Sequence, residues 1–397
     1  MAYSTQRRDV AIVGIHEYPL RVVGPGVTAN HIRIESARKA LDDAGLAWQD
    51  VDGFYDASGG GLGGPEYFGL KPTVIDTTQV GGSSFEFHAA HAARAIREGK
   101  CNVALLTYGS TAHTDGRAIG TGGFGGFAGP ATMGQNMTAP WGGATAANYA
   151  LVKTRHMFQY GTKPEQFAEI SVATRAHAMR NPEAVQAMKD LGYENIRDLT
   201  IEDVLESRMI ADPLHLLECC MVSDGGGAVV IASGEVARNA RKKPVWILGS
   251  GEATKYRENG GDITVSAGAQ SAPKAFGQAG IRPDEIDNAQ MYGSFTITQL
   301  VCLEDLGFCK KGEGGDFVSG GRLRWDSPLK PAMGTDGSGY SSNHPGMHGI
   351  FLLLEATRQL RGESTSQVRD AKLAVAHGNG GDLGSTHSGA TIILARD

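Results

Sequence analysis

The sequence predicts an α/β protein of two related halves, with a lobe inserted into the first. Three observations carry this. A segment beginning at Glu35 recurs at Gln270, short apolar runs alternate with helical ones in both halves, and positions 110–217 interrupt that alternation.

The repeat pairs "ESARKALDDAGLAWQDVDGFYDASG" with "QSAPKAFGQAGIRPDEIDNAQMYGS" at a constant offset of 235. Ser36, Ala37, Lys39, Ala40, Ala44, Gly45 and Asp52 return as Ser271, Ala272, Lys274, Ala275, Ala279, Gly280 and Asp287. Leu41/Phe276, Leu46/Ile281, Asp50/Glu285 and Val51/Ile286 keep their character. Each copy reads as helix, glycine stop, acidic turn and strand.

Taken in order, "VAIVGI" at 10–15 is short, continuous and β-branched, the pattern of a buried strand. The first repeat copy follows. "SFEFHAAHAARAIREG" has an alanine-rich face and reads as a helix held between layers, and "NVALLTYG" at 102–109 is the next strand. The lobe then mixes glycine, charge and the amphipathic helices "ANYALVKTRHMFQYG" and "PEQFAEISVATRAHAMR", and it reads as a cover over a site. "GAVVIAS" at 227–233 completes the first half. The second half runs from "VWILGSG" at 245–251 through the repeat to "HGIFLLLEATRQLRGE", which is apolar nearly all round and therefore central. "KLAVAHG" at 372–378 and "ATIILA" at 390–395 close it. The expected division is an N-terminal half of 1–109 plus 218–240, a lobe of 110–217, and a C-terminal half of 241–397.

Composition bounds the function classes. The 397 residues are 41% hydrophobic and 20% charged, with a formal charge of −6. That balance argues against nucleic acid or an anionic membrane as partner. No apolar run approaches the roughly 18 residues that span a bilayer. The N-terminus has no signal-peptide pattern, so a cytoplasmic protein is expected. Cys101, Cys219, Cys220, Cys302 and Cys309 are odd in number and lack metal spacing, which suits reduced thiols. The 56 glycines cluster between apolar runs, as needed where backbones approach a ligand or each other.

Six segments in the same order resemble the thiolase superfamily, in particular its branch related to sterol carrier protein X. They are "VAIVGI", "GGSSFEFHAAHAARAIREG", "LHLLECCMVSDGGGAVVIA", "MYGSFTITQLVCLEDLGFC", "GTDGSGYSSNHPGMHG" and "AHGNGGDLGSTHSGATIIL". Together they cover most of the chain outside the lobe. The resemblance implies a thiolase-like five-layered αβαβα sandwich of two pseudo-repeated halves, at least dimeric, acting on acyl-CoA. The departures matter more. A thiolase carries its nucleophilic cysteine at the start of the first buried helix, where "TTQVGGSSFEF" has Gly81 or Gly82. Near the expected second cysteine, in "CxGGG", this chain has "AHGNGG" with His377. Ser83 or Ser84 would need an adjacent base to act instead, and a serine after a glycine pair reads as a helix cap.

Without a thiol, acyl transfer lacks its nucleophile, while stabilisation of a thioester enolate survives. A retro-aldol cleavage needs only the latter, with a base at the β-hydroxyl, donors at the thioester oxygen and an acid at Cα. By resemblance, "NHPGMHG" places His344 over the thioester, and Tyr340 is expected in the same pocket. Tyr292, with Ser294 beside it in "MYGSF", falls at the family's polar "HDCF" or "NEAF" position. A free phenol, with pKa ~10, is only about 0.1% ionised at neutral pH. A neighbour that lowers the value is therefore expected, with His344 and His377 the candidates. His377 also reads as a satisfied core histidine.

The steroid side-chain-cleaving aldolases of this branch carry the resemblance further. It implies a 17-hydroxy steroid acyl-CoA as substrate and a ketone plus a short acyl-CoA such as propionyl-CoA as products. It also implies a homodimer within a hetero-oligomer with a small zinc-ribbon/OB-fold protein of the DUF35 type. No permanently bound cofactor is expected, and CoA enters as part of the substrate. The alternatives are a degenerate thiolase-like protein that binds acyl-CoA or lipid without catalysis, and an acyltransferase with a nucleophile other than cysteine.

Other motifs are weaker. His348 follows His344 by four residues, but neither HExxH nor a third ligand accompanies them, so no metal is expected. Asp336, between glycines, reads as an Asx-turn residue. "GGFGGFAG" lacks the strand and helix of a dinucleotide fingerprint, and there is no GxSxG elbow. Lys153, Arg155 and Arg175 on the lobe are candidates for CoA phosphates.

Overall fold

The computed structural model describes residues 8–58, 61–117, 144–256 and 261–397. The first half contributes strands β1 (Val10–Glu17), β2 (Gly53–Asp56), β3 (Val74–Asp76), β4 (Val103–Ser110) and β5 (Gly225–Ser233). The second contributes β6 (Val245–Lys255), β7 (Asn288–Met291), β8 (Ala332–Met333), β9 (Leu373–Asp382) and β10 (Ser385–Ala395). The helices needed below are α1 (Ala29–Ala44), α2 (Ser84–Arg97), α3 (Thr145–Tyr160), α4 (Pro164–Ala178), α5 (Gly268–Ala279), α6 (Thr296–Asp305), α7 (Ser338–Ser341) and α8 (Gly349–Arg361).

The strand order is β3-β2-β4-β5-β1-β6-β10-β9-β7-β8, so each half is the image of the other about the central seam. At that seam β1 and β6 pair antiparallel, Ala11 with Trp246 and Ile12 with Val245. Helix α1 packs on first-half strands and α5 on second-half strands, whereas α2 and α8 touch strands of both halves and each other. The layers are therefore α1, the first five strands, α2 with α8, the second five strands, and α5. This is the expected five-layered αβαβα sandwich.

The repeated residues explain why the two halves fold alike. Gly14 in β1 and Gly249 in β6 are also 235 positions apart. A methyl group on either would overlap the backbone carbonyl of Ala40 or Ala275 respectively, so a bare strand lets each outer helix sit directly on its sheet. Gly45 and Gly280 end these helices at φ 74° and 69°, the left-handed region that glycine enters without a Cβ penalty. Asp52 accepts from the amides of Asn102 and Val103 at the start of β4. Asp287 does the same for Lys372 and Leu373 at the start of β9. The acidic turn is thus a strand clamp used twice.

The central layer differs in kind. In α8 nearly every residue from Gly349 to Leu360 is buried, and in α2 five alanines, Ala89 to Ala95, line the contacts. Small side chains on one helix and large ones on the other let the two pack closely between sheets. Two readings needed adjustment. Strands β9 and β10 reach beyond the apolar runs into the glycine-rich stretch, because their antiparallel pairing continues to Asp382 and Ser385. Strands β3 and β8 have three and two residues, and parallel partners define them rather than any sequence pattern.

Between β4 and β5 lie α3, α4 and shorter helices at Pro182–Asp190 and Ile201–Glu206; the "GGFGGFAG" stretch falls outside the described residues. Helix α3 is fastened by buried polar pairs. Lys153 meets Glu218 at 2.6 and 2.8 Å, and His156 meets Glu304 of α6 at 3.1 Å, all four side chains sealed from solvent. Lys153 is therefore not a CoA-phosphate ligand, and neither is Arg175, buried and bonded to Ser341. Arg155 is exposed and bonds Gln159. Among the described residues no helix is long and apolar enough to cross a membrane.

Candidate active site

The site grows from the turn that starts α2. The Ser84 hydroxyl donates to Gly81 O at 2.6 Å and accepts from Val80 N at 2.9 Å, which draws the turn tight. Ser83, expected as a helix cap, makes no cap bond and instead meets Ser388 Oγ at 2.8 Å. Among the described residues no base hydrogen-bonds either hydroxyl. Gly81 has φ 76°, and a methyl on it would stand 3.1 Å from Gly380 Cα and Gly381 N. At Gly82 a methyl would overlap the ring and hydroxyl of Tyr292. The space next to Gly82 is thus filled by a phenol from the other half of the molecule.

Tyr292 follows β7, its amide donating to His377 O at 3.1 Å, and its Oη accepts from His348 N at 3.2 Å. Its ring stands edge-on to His344, with centroids 5.7 Å apart, and to His348 at 5.8 Å. The two imidazoles stack on each other at 5.8 Å, and His348 stacks on Phe351 of α8. His344 Nε2 and both ring nitrogens of His348 have no hydrogen-bond partner among the described residues. A phenol and two imidazoles, each with spare hydrogen-bonding capacity, therefore share one buried cluster.

Tyr340 does not join that ring cluster. It lies in α7 within the apolar cluster of Cys219, Phe295 and Cys302, while Tyr292 belongs to that of Phe85 and Met347. The two tyrosine segments meet at glycines. A methyl on Gly339 would overlap the Gly293 carbonyl and come within 3.2 Å of His344 Cδ2. Residues 219–221 bind both segments, with Cys220 N donating to Ser294 O at 2.8 Å and Met221 N to Gly339 O at 2.9 Å. Ser294 itself pairs its hydroxyl with Thr298 at 2.9 Å. The Tyr340 hydroxyl has no partner among the described residues.

His377 is turned away from this pocket. Its Nδ1 pairs with Thr391 Oγ1 at 2.9 Å, and its ring edge faces Gly268 of α5 and Gly389. Alternation along β9 aims the next residue, Gly378, at α2 instead. Of the two readings offered for His377, the core histidine is the one the strand geometry favours.

Burial sets the electrostatics. It pushes Tyr292 and Tyr340 well above the ordinary phenol value, with the Cys220 thiol adding to both. The expected lowering neighbour is not found: among the described residues no cation stands beside either phenol, and the His348 amide bonded to Tyr292 does not offset burial. Burial also lowers His344 to about 4 and His348 to about 3. At neutral pH both phenols keep their protons and both imidazoles are uncharged. Cys220, the thiol shared by both tyrosine segments, is raised to about 12 and is not a thiolate.

A second ring of residues, most of them unmarked in the sequence, holds the loop from 334 to 348. His344 N donates to Ser223 Oγ at 3.0 Å, Ser223 to Asn343 Oδ1 at 2.8 Å, and Asn343 to Glu17 Oε1 at 3.2 Å. From α4, His177 binds Gly334 O at 2.9 Å and Arg175 binds Ser341 Oγ at 2.9 Å. Asp336 makes the expected Asx turn with Ser338 N at 2.8 Å. Glycine-rich backbone has little preference of its own, so these bonds choose one conformation for it.

Glu17 anchors this ring and should give it acid lability. Burial alone would raise its pKa, but Arg21 and Arg358, at 2.5 and 2.8 Å, hold it below the usual carboxylate range. A carboxylate lowered by folding stabilises the native state fully above its unfolded value, and that contribution fades as pH falls below about 4.5. Urea midpoints of the parent should therefore drop on acidification through this window. Glu17→Gln should start a few kcal/mol lower and show a flatter acid limb.

Comparison with known proteins places the pocket in context. Residues 249–396 match the family model described as thiolase C-terminal domain-like. The chain is 32% identical to the acetyl-CoA acetyltransferase of Methanothermobacter thermautotrophicus, over 95% of this chain and 98% of that protein. It is 30% identical to the 17-hydroxy-3-oxo-4-pregnene-20-carboxyl-CoA lyase of Mycobacterium tuberculosis, over 91% and 93%. Among solved structures it is similar to an Ltp2-ChsH2(DUF35) aldolase, at 27% identity and TM-score 0.85 over 99% of both chains.

Proposed function

The chain belongs to the thiolase superfamily, and from that premise we propose that it is a carbon–carbon lyase of acyl-CoA thioesters, a retro-aldolase without a covalent intermediate. It takes a β-hydroxyacyl-CoA, of the 17-hydroxy steroid side-chain class, and releases a ketone and a short acyl-CoA such as propionyl-CoA. The observation that carries this reading is the Tyr292 phenol lying where a side chain on Gly82 would have to be. The relatives pull two ways, toward acyl transfer and toward lyase chemistry, and the thiol decides between them. Acyl transfer needs a thiolate, and Cys220 is a buried thiol held near 12.

In this reading the β-hydroxyl proton passes to a neutral imidazole, His348, as the Cα–Cβ bond breaks. The electron pair of that bond flows into the thioester, and His344 donates to the resulting enolate oxygen. A phenol that still carries its proton then delivers it to Cα. One proton leaves the substrate and one returns, so the reaction needs no oxidant and no acceptor thiol. The imidazolium and the enolate offset each other's charge in a pocket of low dielectric. Tyr292 stands beside both imidazoles and is the phenol assigned to Cα, while Tyr340 serves the opposite flank.

A DUF35-type protein as partner belongs to the same reading, supported by the similar Ltp2-ChsH2(DUF35) aldolase structure, and a homodimer as the core of that complex is proposed with it. The chain is expected to work in the cytoplasm. The test is a product assay with β-hydroxyacyl-CoA thioesters, with and without a DUF35-type protein. A ketone and a shorter acyl-CoA should accumulate in equal amounts, with no acyl-enzyme by intact mass. A stable acyl adduct would sink the lyase reading in favour of acyl transfer, and acyl-CoA binding without products would leave a non-catalytic binder.

A further inference from the structure

Glu86 lies on α2, one helical turn beyond Gly82. Its side chain is fully buried, and neither carboxyl oxygen has a hydrogen-bond partner among the described residues. Two glycines make room for it. A methyl on Gly378 of β9 would overlap Oε2, and a methyl on Gly349, the first residue of α8, would stand 2.8 Å from it. Gly349 follows His348, whose amide donates to the Tyr292 hydroxyl. The carboxyl and the phenol therefore flank the same short stretch of backbone, one from α2 and the other from the β7–α6 connection.

A carboxyl placed there is costly unless it serves a purpose. Buried carboxylates are normally paired or bonded, and an orphan one is driven to keep its proton. Burial raises Glu86 well above the ordinary carboxylate value, and among the described residues no cation offsets it. His348, which precedes α8, and Tyr292 flank the same backbone as the carboxyl and are uncharged at neutral pH. His88 on α2, His377 on β9 and the Glu355–Arg358 pair on α8 lie on the same elements and do not bond it. Packing alone would be better served by a leucine. The carboxyl instead fills the space left by the missing side chains of Gly349 and Gly378.

We propose that Glu86 is the internal acid that resets the Tyr292–His348 pair between turnovers. This rests on the retro-aldolase reading and adds a residue to it. After one turnover His348 holds an extra proton and Tyr292 lacks one. Glu86 gives its proton to the phenolate and takes the one left on the imidazolium, so the carboxyl, phenol and imidazole all return to their starting states. It touches no substrate and hydrogen-bonds neither of the other two in the resting state. It exchanges protons with them only once turnover has charged the phenolate and the imidazolium.

Glu86→Gln keeps the size and neutrality of the side chain and removes the exchangeable acid. The first turnover, measured with enzyme in excess over a β-hydroxyacyl-CoA, should proceed at the parent rate. Steady-state kcat should fall about 100-fold, with KM unchanged. Gly378→Ala, which must push the carboxyl aside without altering its chemistry, should show the same split. An infrared difference spectrum of parent minus Glu86→Gln at neutral pH should contain the carbonyl band of a protonated carboxyl. Absence of that band overturns the proposal without reference to any substrate. So does a Glu86→Gln variant that turns over like the parent, or one whose first turnover slows as much as the steady state, since that is what mere structural damage does. A parent enzyme that cleaves no β-hydroxyacyl-CoA overturns the functional reading beneath it.

Discussion

Replacing Tyr292 with phenylalanine should lower kcat for carbon–carbon cleavage by about 100- to 10,000-fold, the range for losing one positioned acid or base, with KM nearly unchanged. Only the hydroxyl is removed, so the ring still fills the space beside Gly82 and still stands edge-on to His344 and His348. The one bond lost is that from His348 N at 3.2 Å. An unchanged KM with a collapsed kcat would place the phenol in the transition state rather than in binding. Tyr340→Phe is informative beside it. Tyr340 lies in the neighbouring cluster, one residue after Gly339, whose backbone lies against His344. A kcat loss of similar size would make it a second proton carrier, and a small loss would leave Tyr292 as the acid. If Tyr292→Phe cleaves as fast as the parent, the proposed chemistry is wrong.

Lys153→Met should destabilise the protein by about 3–5 kcal/mol, the cost of stranding one charge of a buried pair. Glu218 would keep only the bonds from Thr296 Oγ1 at 2.9 Å and His215 N at 3.0 Å. Adding Glu218→Gln to Lys153→Met should recover much of the loss, since the residual charge goes with it. Denaturant unfolding measures both, and a single-variant loss under about 1 kcal/mol would refute the account. Activity should suffer as well. Glu218 lies just before Cys220 and Met221, whose amides bind the Tyr292 and Tyr340 segments together.

Much of the architecture was legible because it rests on local, repeated instructions. Ala40 and Ala275, Gly45 and Gly280, and Asp52 and Asp287 each do the same job twice, so the offset of 235 exposes them. Burial of α2 and α8 was equally plain, since an alanine-rich face and an all-apolar helix admit few other places. Tyr292 and His344 stood out by their motif positions. His348, Glu86 and Cys220 did not, because a buried histidine, glutamate or cysteine carries no periodic mark. Lys153 and Arg175 misled, since basic residues on an amphipathic helix look solvated until a partner from a distant segment is known.

By itself the sequence determined two halves, a pair of central helices and a pocket without its thiol, since spacing, glycine and residue type act over short range. Folding decided which glycine lies under the phenol, which way His377 turns, and that the phenols are raised rather than lowered. Those outcomes depend on contacts between Gly82 and Tyr292, or Gly378 and Glu86, that are some 200 to 300 positions apart in the chain. Burial, which shifts every titratable group in the pocket, exists only once those segments have met.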